Sequence, residues 1–157
     1  MAEKILVAVD ESKHSMNAVK YVAKCMQPTA SVTLFSVIPP PSAACGLDSP
    51  ALVPLFKEHR QTFCAMEDTK KDSVKSFMEK AKRVLVGSGF SSQNVATKIR
   101  KKKTGIARDI LKEARQGKYD TLVIGRRGLT GIKQFVFGSV SNKLVQQATD
   151  VSVVVVD

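Results

Sequence analysis

The sequence has few of the side chains that mark two large classes of protein. It contains no tryptophan, two tyrosines and seven phenylalanines, whereas proteins that bind single-stranded nucleic acid stack bases on several aromatic rings. Its longest aliphatic run, Ile5–Val9, has five residues, far fewer than the roughly 20 of a membrane span. The segment Met1–Lys4 lacks the pattern of a signal peptide. We therefore expect a soluble, cytoplasmic protein with no membrane partner, and we disfavour nucleic acid as its ligand.

Cysteine is also scarce. The three cysteines, Cys25, Cys45 and Cys64, form no CxxC pair, so the sequence predicts neither a disulfide framework nor a zinc site and suits a reducing compartment. The chain has 157 residues, a length typical of one domain. We expect a single domain over residues 1–157.

Acidic residues are outnumbered: 25 lysines and arginines against 14 aspartates and glutamates give a net charge of +11. This charge favours an anionic partner, whether a nucleotide, a nucleic acid or an acidic protein surface. Five of the six residues in Lys98–Lys103 are basic. Such a run usually protects an exposed sheet edge from pairing. The alternative is a docking patch for an acidic partner.

Apolar runs alternate with amphipathic segments along the chain. Short β-branched runs predict five strands, and four helices separate them. One helix covers about 56–87, and the other three follow the candidate capping residues Ser12 or Ser15, Thr104 and Gly138. The predicted strands are Ile5–Val9, Val32–Ile38, Val95–Ile99, Thr121–Ile124 and Val151–Val156. The third alternates polar and apolar residues, which predicts an edge strand, and a proline-rich loop covers 39–55.

Strict alternation of strands and helices predicts a doubly wound α/β fold with a parallel sheet. Ligands of such sheets bind beyond the carboxyl ends of the strands, where the strand order reverses. This rule selects the segments Asp10–Ser12 and Val37–Pro39, and the chain from Gly125 onwards. Asp10 is the one carboxylate predicted at a strand end in this cleft, where it either caps a helix or contacts the ligand.

Three glycines follow the fourth strand with the spacing G-x2-G-x9-G-S. Glycine lets backbone N–H groups approach a ligand closely, and the helix that Gly138 and Ser139 open offers free N–H groups to a phosphate. Arginine charges and serine hydroxyls add to this segment, which as a whole comprises Gly125, Arg126, Arg127, Gly128, Gly138, Ser139, Val140 and Ser141. A split phosphate cradle is one interpretation. A tight turn followed by an ordinary helix cap is the other.

Motifs of catalysis are missing. Neither a P-loop nor a GxGxxG fingerprint is present, and no close pair of carboxylates suggests a general acid and base. His14 and His59 lack metal-ligand spacing, and Ser139 has no nucleophile elbow around it. We predict no catalytic residues, and at most slow hydrolysis of any nucleotide that binds.

The glycine motif, together with Val9-Asp10 at the end of the first strand, resembles the ATP-binding branch of the universal stress protein family. The resemblance covers nearly the whole chain, from Ile5–Asp10 through Val32–Pro39 to Tyr119–Ser141. It implies a five-stranded parallel sheet of order 3-2-1-4-5, with helices on both faces.

The resemblance also implies a ligand and its contacts. Gly125, Gly128 and Gly138, with Ser139, Val140 and Ser141, would hold the phosphates and ribose of ATP, AMP or ADP. Ala8, Val9 and Asp10 would lie beside the ribose and adenine, and the backbone of Val37 would contact adenine. A Mg²⁺ or Mn²⁺ ion would accompany the triphosphate, and Val151–Val156 would pair two copies into a homodimer.

These inferences lead to a nucleotide-dependent regulatory protein of the stress response as the main hypothesis. Nucleotide binding would then order loop 39–55 or loop 125–138 and so change a surface that faces a partner. One alternative is an enzyme that transfers adenylyl or phosphoryl groups, for which Asp10, Lys13 and the two arginines are the candidate acceptor-binding groups. Another is an interaction module that binds an acidic protein through its basic edge.

Overall fold

A computed structural model describes residues 1–39, 53–127 and 138–157, with the backbone alone over 53–67. The elements alternate as predicted. They are β1 (Lys4–Ala8), α1 (Lys13–Cys25), β2 (Ser31–Ile38), α2 (Val53–Gly87), a 3-10 turn (Ser92–Asn94), β3 (Val95–Lys101), α3 (Ile106–Gln116), β4 (Thr121–Gly125), α4 (Ser139–Gln147) and β5 (Ser152–Val156). Helix α2 begins at Val53, before the predicted start at 56, and most of the predicted loop 39–55 lies outside the described residues.

The five strands form one parallel sheet of order β3-β2-β1-β4-β5, which confirms the predicted doubly wound fold. Strand β1 is central, since its Ala8 lies opposite Phe35 of β2 on one side and Ile124 of β4 on the other. The side chains of Ile5 and Leu6 are fully buried. An apolar run buried in this way needs helices on both faces of the sheet.

Two hydrophobic cores lie on the two faces of this sheet. Helices α1 and α2 cover one face, where Val22 and Met78 meet the sheet. Helices α3 and α4 cover the other, where Leu111 and Leu144 pack around Phe35. The strand order reverses between β1 and β4, so their carboxyl ends border the cleft that such sheets use for ligands.

The edge position predicted for β3 is confirmed. Val95 at its start is buried, and most of the later residues are exposed or half-buried. Strand β1 ends at Ala8, one residue before the predicted Val9. The ladder nonetheless continues through Val9, whose N–H donates to the Phe35 carbonyl over 2.8 Å.

The starts of two helices differ in how they are capped. Ser12 caps α1 as predicted, because its Oγ accepts from the Ser15 N–H over 3.2 Å. The prediction that Thr104 caps α3 is wrong. Gly105, with a φ of 152°, is the capping residue and makes no side-chain bond, which places Thr104 one residue too far from the helix.

Asp109, in the first turn of α3, takes over the capping role from within the helix. Its carboxylate accepts from the Lys103 N–H over 2.7 Å, from the Thr104 hydroxyl over 2.7 Å and from the Thr104 N–H over 3.2 Å. Burial favours the neutral acid, but these bonds and one from the Gly105 backbone outweigh it and lower the pKa of Asp109 below its ordinary value.

Candidate functional site

The candidate site lies at the carboxyl ends of β1 and β4, where the strand order reverses. Ala8 and Ile124 are paired in register at this end of the sheet. Val37, near the end of β2, is buried in the core beneath α3 and α4, in register with Arg100 of β3. The described segments that follow β1 and β4 therefore lie next to each other at the edge formed by the carboxyl ends of the strands, as the sequence predicts.

The segment after β1 is organised by Asp10. Its Oδ1 accepts from the Ser12 N–H over 2.8 Å and from the Ser15 hydroxyl over 2.8 Å, while the Asp10 N–H donates to Ser15 Oγ over 2.9 Å. These bonds fix the turn from β1 into α1. The geometry therefore gives Asp10 the helix-starting role that the sequence left open, and contact with a ligand stays a prediction.

Gly125, the last residue of β4, lies directly against the first turn of α1. A Cβ atom at this position would lie 2.7 Å from the carbonyl carbon of His14 and 2.8 Å from its oxygen. Any larger residue would push the helix away from the strand. Glycine is therefore required here by the packing that brings the segment after β1 onto the end of β4.

Two hydrogen bonds join the first and last parts of the glycine motif. The Gly138 N–H donates to the Arg126 carbonyl over 2.9 Å, and the hydroxyl of Ser141 donates to the Gly125 carbonyl over 2.8 Å. Ser141 is buried, so its hydroxyl proton already has an acceptor within the protein. The two ends of the motif are thus adjacent; Gly128, between them, lies outside the described residues.

The amino end of α4 has backbone donors without a side-chain cap. Gly138 is the capping residue and makes no side-chain hydrogen bond. The first helical bond runs from the Asn142 N–H to the Gly138 carbonyl over 2.9 Å, so Ser139, Val140 and Ser141 carry the N–H groups that a helix leaves unpaired. Free N–H groups and the positive end of the helix dipole attract anions such as phosphate.

The two arginines of the motif have different surroundings. The Nη2 of Arg126 lies 3.0 Å from Oδ1 of Asp157, a residue whose side chain is 65% exposed. The Nε atoms of both arginines are buried and have no hydrogen-bond partner among the described residues. Arg126 is therefore partly neutralised, a feature that the sequence analysis missed because it depends on β4 and β5 ending side by side.

His14 also faces Asp157, with 3.8 Å between Nδ1 and Oδ1, and its position at the start of α1 places it near the site. In the described part of the chain, no group of three or more histidine, cysteine, aspartate or glutamate side chains is placed to hold a metal ion.

Within the same ranges, no helix is both long and apolar enough to cross a membrane.

Comparison with known structures supports this architecture. A universal stress protein, UspA, from Lactobacillus plantarum is 24% identical, with a TM-score of 0.76 over 99% of this chain and 97% of that one. A universal stress protein from Archaeoglobus fulgidus in complex with dAMP is 15% identical, with a TM-score of 0.61 over 100% and 98%. A family protein from Arabidopsis thaliana with AMP bound is 20% identical, with a TM-score of 0.60 over 98% and 90%.

These similarities show a shared fold. At sequence identities of 15% to 24% they do not show a shared ligand or activity. A comparison with curated proteins gave no match. The model of the universal stress protein family, however, matches residues 1–157, the whole of the chain. With the strand order and the glycine motif described above, this match shows that the chain belongs to the universal stress protein family.

Proposed function

We propose that this protein binds an adenine nucleotide at the carboxyl ends of β1 and β4 and acts as a nucleotide-dependent regulator in the stress response. The observation that carries the proposal is the amino end of α4, where backbone donors without a side-chain cap lie beside the end of β4. Complexes of relatives with AMP and dAMP support the choice of an adenine nucleotide.

The phosphates would bind at the start of α4. The N–H groups of Ser139, Val140 and Ser141 supply donors there, and Arg126 supplies positive charge. Asp157 already neutralises Arg126 in part, through a contact whose acid is 65% exposed to water. A phosphate would compete with Asp157 for the guanidinium group, since an exposed ion pair is weak.

The ribose and adenine would lie towards β1 and β2. Ala8 ends β1, Val9 and Asp10 follow it, and the backbone of Val37 lies in the neighbouring strand β2. The carboxylate of Asp10 is anchored by Ser12 and Ser15. Its position is therefore fixed before a ligand arrives, which lowers the entropic cost of binding.

ATP would bring a divalent cation, Mg²⁺ or Mn²⁺, into the site. Such ions bind substrate phosphates together with one or two carboxylates and water, and seldom need a full protein cage. The described residues offer no cluster of three ligating side chains, which fits an ion held mainly by the phosphates. The ion would neutralise phosphate charge beside the start of α4.

Strand β5 would join two copies of the chain. It is an edge strand of serine and valines, Ser152–Val156, and its four valines are only half-buried. An apolar edge of this kind invites pairing with another strand, and a two-fold axis would pair the same edge of both copies. We propose a homodimer through Val151–Val156.

We propose the cytoplasm as the compartment of this protein. Cys25 is a free, exposed thiol, which suits a reducing environment.

The test of nucleotide binding uses two nearly isosteric substitutions at one position. Gly138 has a φ of −66° and a ψ of 155°, angles that any residue adopts, and aspartate and asparagine cap helices about equally well. Gly138→Asp adds a negative charge at the start of α4, and Gly138→Asn adds none. We expect Gly138→Asp to weaken AMP binding by at least about tenfold more than Gly138→Asn.

Calorimetric titration measures both affinities, and thermal melting verifies that both variants fold as well as the unmodified protein. Similar affinities for AMP in two folded variants would place the phosphate elsewhere and overturn the assignment to α4. The comparison separates charge from side-chain size, which a single substitution at Gly138 cannot do.

A further inference from the structure

The charges of α3 are sorted onto two sides of the helix. Its two acids, Asp109 and Glu113, are four residues apart and therefore share a face, which is turned towards β3. Asp109 accepts from the Lys103 N–H, and the buried Glu113 accepts from Lys98 Nζ over 2.6 Å. Both acidic groups of the helix are thus bound to the segment that holds the basic run.

The basic side of α3 lies along a groove beside α4. The groove has a volume of about 390 Å³, and its lining is cationic or neutral: Arg108, Leu111, Lys112, Arg115, Gln116 and Gln147. Leu111 is only 5% exposed, so the accessible lining comes mainly from the long side chains around it, whose apolar stems carry charged or amide ends. Helix α4 contains no acidic residue in its sequence. Among the described residues, the charged groups that line the groove are therefore all cationic, in a protein whose net charge is already +11.

Two of the three cations in this groove have no partner in the described part of the chain. Arg115 donates to Thr149 Oγ1 over 3.1 Å, and its Nε lies 4.0 Å from Oδ2 of Asp150. Arg108 and Lys112 are exposed and form no hydrogen bond or ion pair with a described residue. They lie four residues apart, one helical turn, on the same face.

We propose that this groove is a docking site for an acidic helix of a partner protein. Carboxylates one turn apart on that helix would face Arg108 and Lys112 at matching spacing. The Arg108 guanidinium group would bind its carboxylate through two parallel hydrogen bonds, and the amides of Gln116 and Gln147 would bind backbone or polar groups at the rim. The site is separate from the nucleotide site and does not depend on the proposed function.

The groove suits a protein helix better than a nucleic acid or a small anion. Proteins that bind duplexes contact many phosphates with a long row of cations, whereas this groove offers two unpaired ones. Two exposed cations bind a small anion only weakly in water, and Arg108 and Lys112 are both exposed. An acidic helix does not need a long row of cations, because several opposite charges along the two helices attract each other together.

The probe is a designed helical peptide with glutamates at positions i, i+4 and i+7, and its control is the same peptide with glutamines. Each is titrated into the ¹⁵N-labelled full chain, and backbone amide shifts locate the contact. The protein variant is Arg108→Gln/Lys112→Gln. Its matched control is Lys71→Gln/Lys75→Gln, which removes the same charge at the same spacing from exposed positions of α2.

We expect the glutamate peptide to shift amides of α3 and the end of α4, with an affinity that falls as salt is added. Arg108→Gln/Lys112→Gln should weaken binding by about tenfold and the α2 control by less than about twofold, while AMP binding stays unchanged in both. Equal weakening by the two variants would contradict the proposal, as would shifts centred on Lys98–Lys103. A DNA duplex that bound the groove more tightly than the peptide would assign it to nucleic acid.

Discussion

Two contacts between basic and acidic side chains lie at different strands of the sheet, β3 and β4, and the exposure of their acids differs sharply. At β3, Lys98 and Arg100 bind Glu113, whose side chain is 4% exposed. At the end of β4, Arg126 binds Asp157, whose side chain is 65% exposed. The acid is inside the protein in the first contact and in water in the second.

This difference separates a structural contact from one that a ligand could replace. A buried carboxylate needs its cations, because leaving it unpaired costs several kcal/mol. An exposed pair contributes between zero and about 1 kcal/mol. The basic run at β3 is therefore partly fixed to α3, and the sequence could not distinguish it from a free docking patch. Arg126 can exchange Asp157 for a phosphate at little cost.

The largest effect should follow removal of both cations from Glu113. Lys98→Met/Arg100→Met leaves a buried carboxylate without its partners and should lower the free energy of unfolding by about 3–5 kcal/mol, as measured by urea denaturation. The control Lys71→Met/Lys75→Met changes exposed lysines of α2 and should cost within about 0.5 kcal/mol per site. Equal losses in both variants would show that the Glu113 contact is no stronger than a surface pair.

Removal of the acid should cost less than removal of the cations. Glu113→Gln keeps the shape and leaves Lys98 and Arg100, which are 39% and 45% exposed and can reach water. We expect a loss of about 2 kcal/mol in the same denaturation experiment, with AMP affinity unchanged. A loss of AMP binding in the folded variant would mean that β3 and the proposed nucleotide site are coupled.

Asp109→Asn tests the other acid of α3 through its dependence on pH. The pKa of Asp109 is lowered from the ordinary 3.8 in the folded protein, so the ionised group stabilises the fold above that pH and loses its contribution as pH falls through the lowered value. At pH near 7 the variant should be less stable by about 1 kcal/mol. Denaturation curves in acid should converge; a constant difference would contradict the assigned hydrogen bonds.

The smallest change in stability should come from Asp157→Asn. Because the Asp157 side chain is 65% exposed, the free energy of unfolding should change by less than about 0.5 kcal/mol. Affinity for AMP should rise by about twofold to fivefold, since Arg126 would no longer be neutralised. Calorimetry measures this rise, and a lower affinity would show that Asp157 contributes to the site rather than competes for it.

The sequence predicts the fold well because buried strands of parallel sheets leave a local signal. Ile5–Val9 and Thr121–Ile124 are continuous β-branched or aliphatic runs, and regular alternation with helices limits the topology. The approach of Gly138 to the end of β4 follows from the same rules, because the carboxyl ends of parallel strands share one edge of the sheet.

What sequence reasoning missed depends on contacts between distant segments. Asp157 meets Arg126 only because β5 lies next to β4, and Glu113 meets Lys98 across a strand and a helix. The error at Thr104 arose differently: Gly105 takes a positive φ, and Asp109 reaches back from inside the helix. The capping preferences of single residues do not predict a cap that is formed by a side chain from inside the helix.

The central claim is that the carboxyl ends of β1 and β4 bind an adenine nucleotide, and calorimetric titration of the nucleotide-free full chain tests it most directly. AMP, and ATP with Mg²⁺, should bind saturably with one nucleotide per chain and raise the melting temperature. GTP with Mg²⁺ should bind more weakly. Absence of both heat and thermal stabilisation with AMP and ATP, or equal affinity for GTP, would contradict the account.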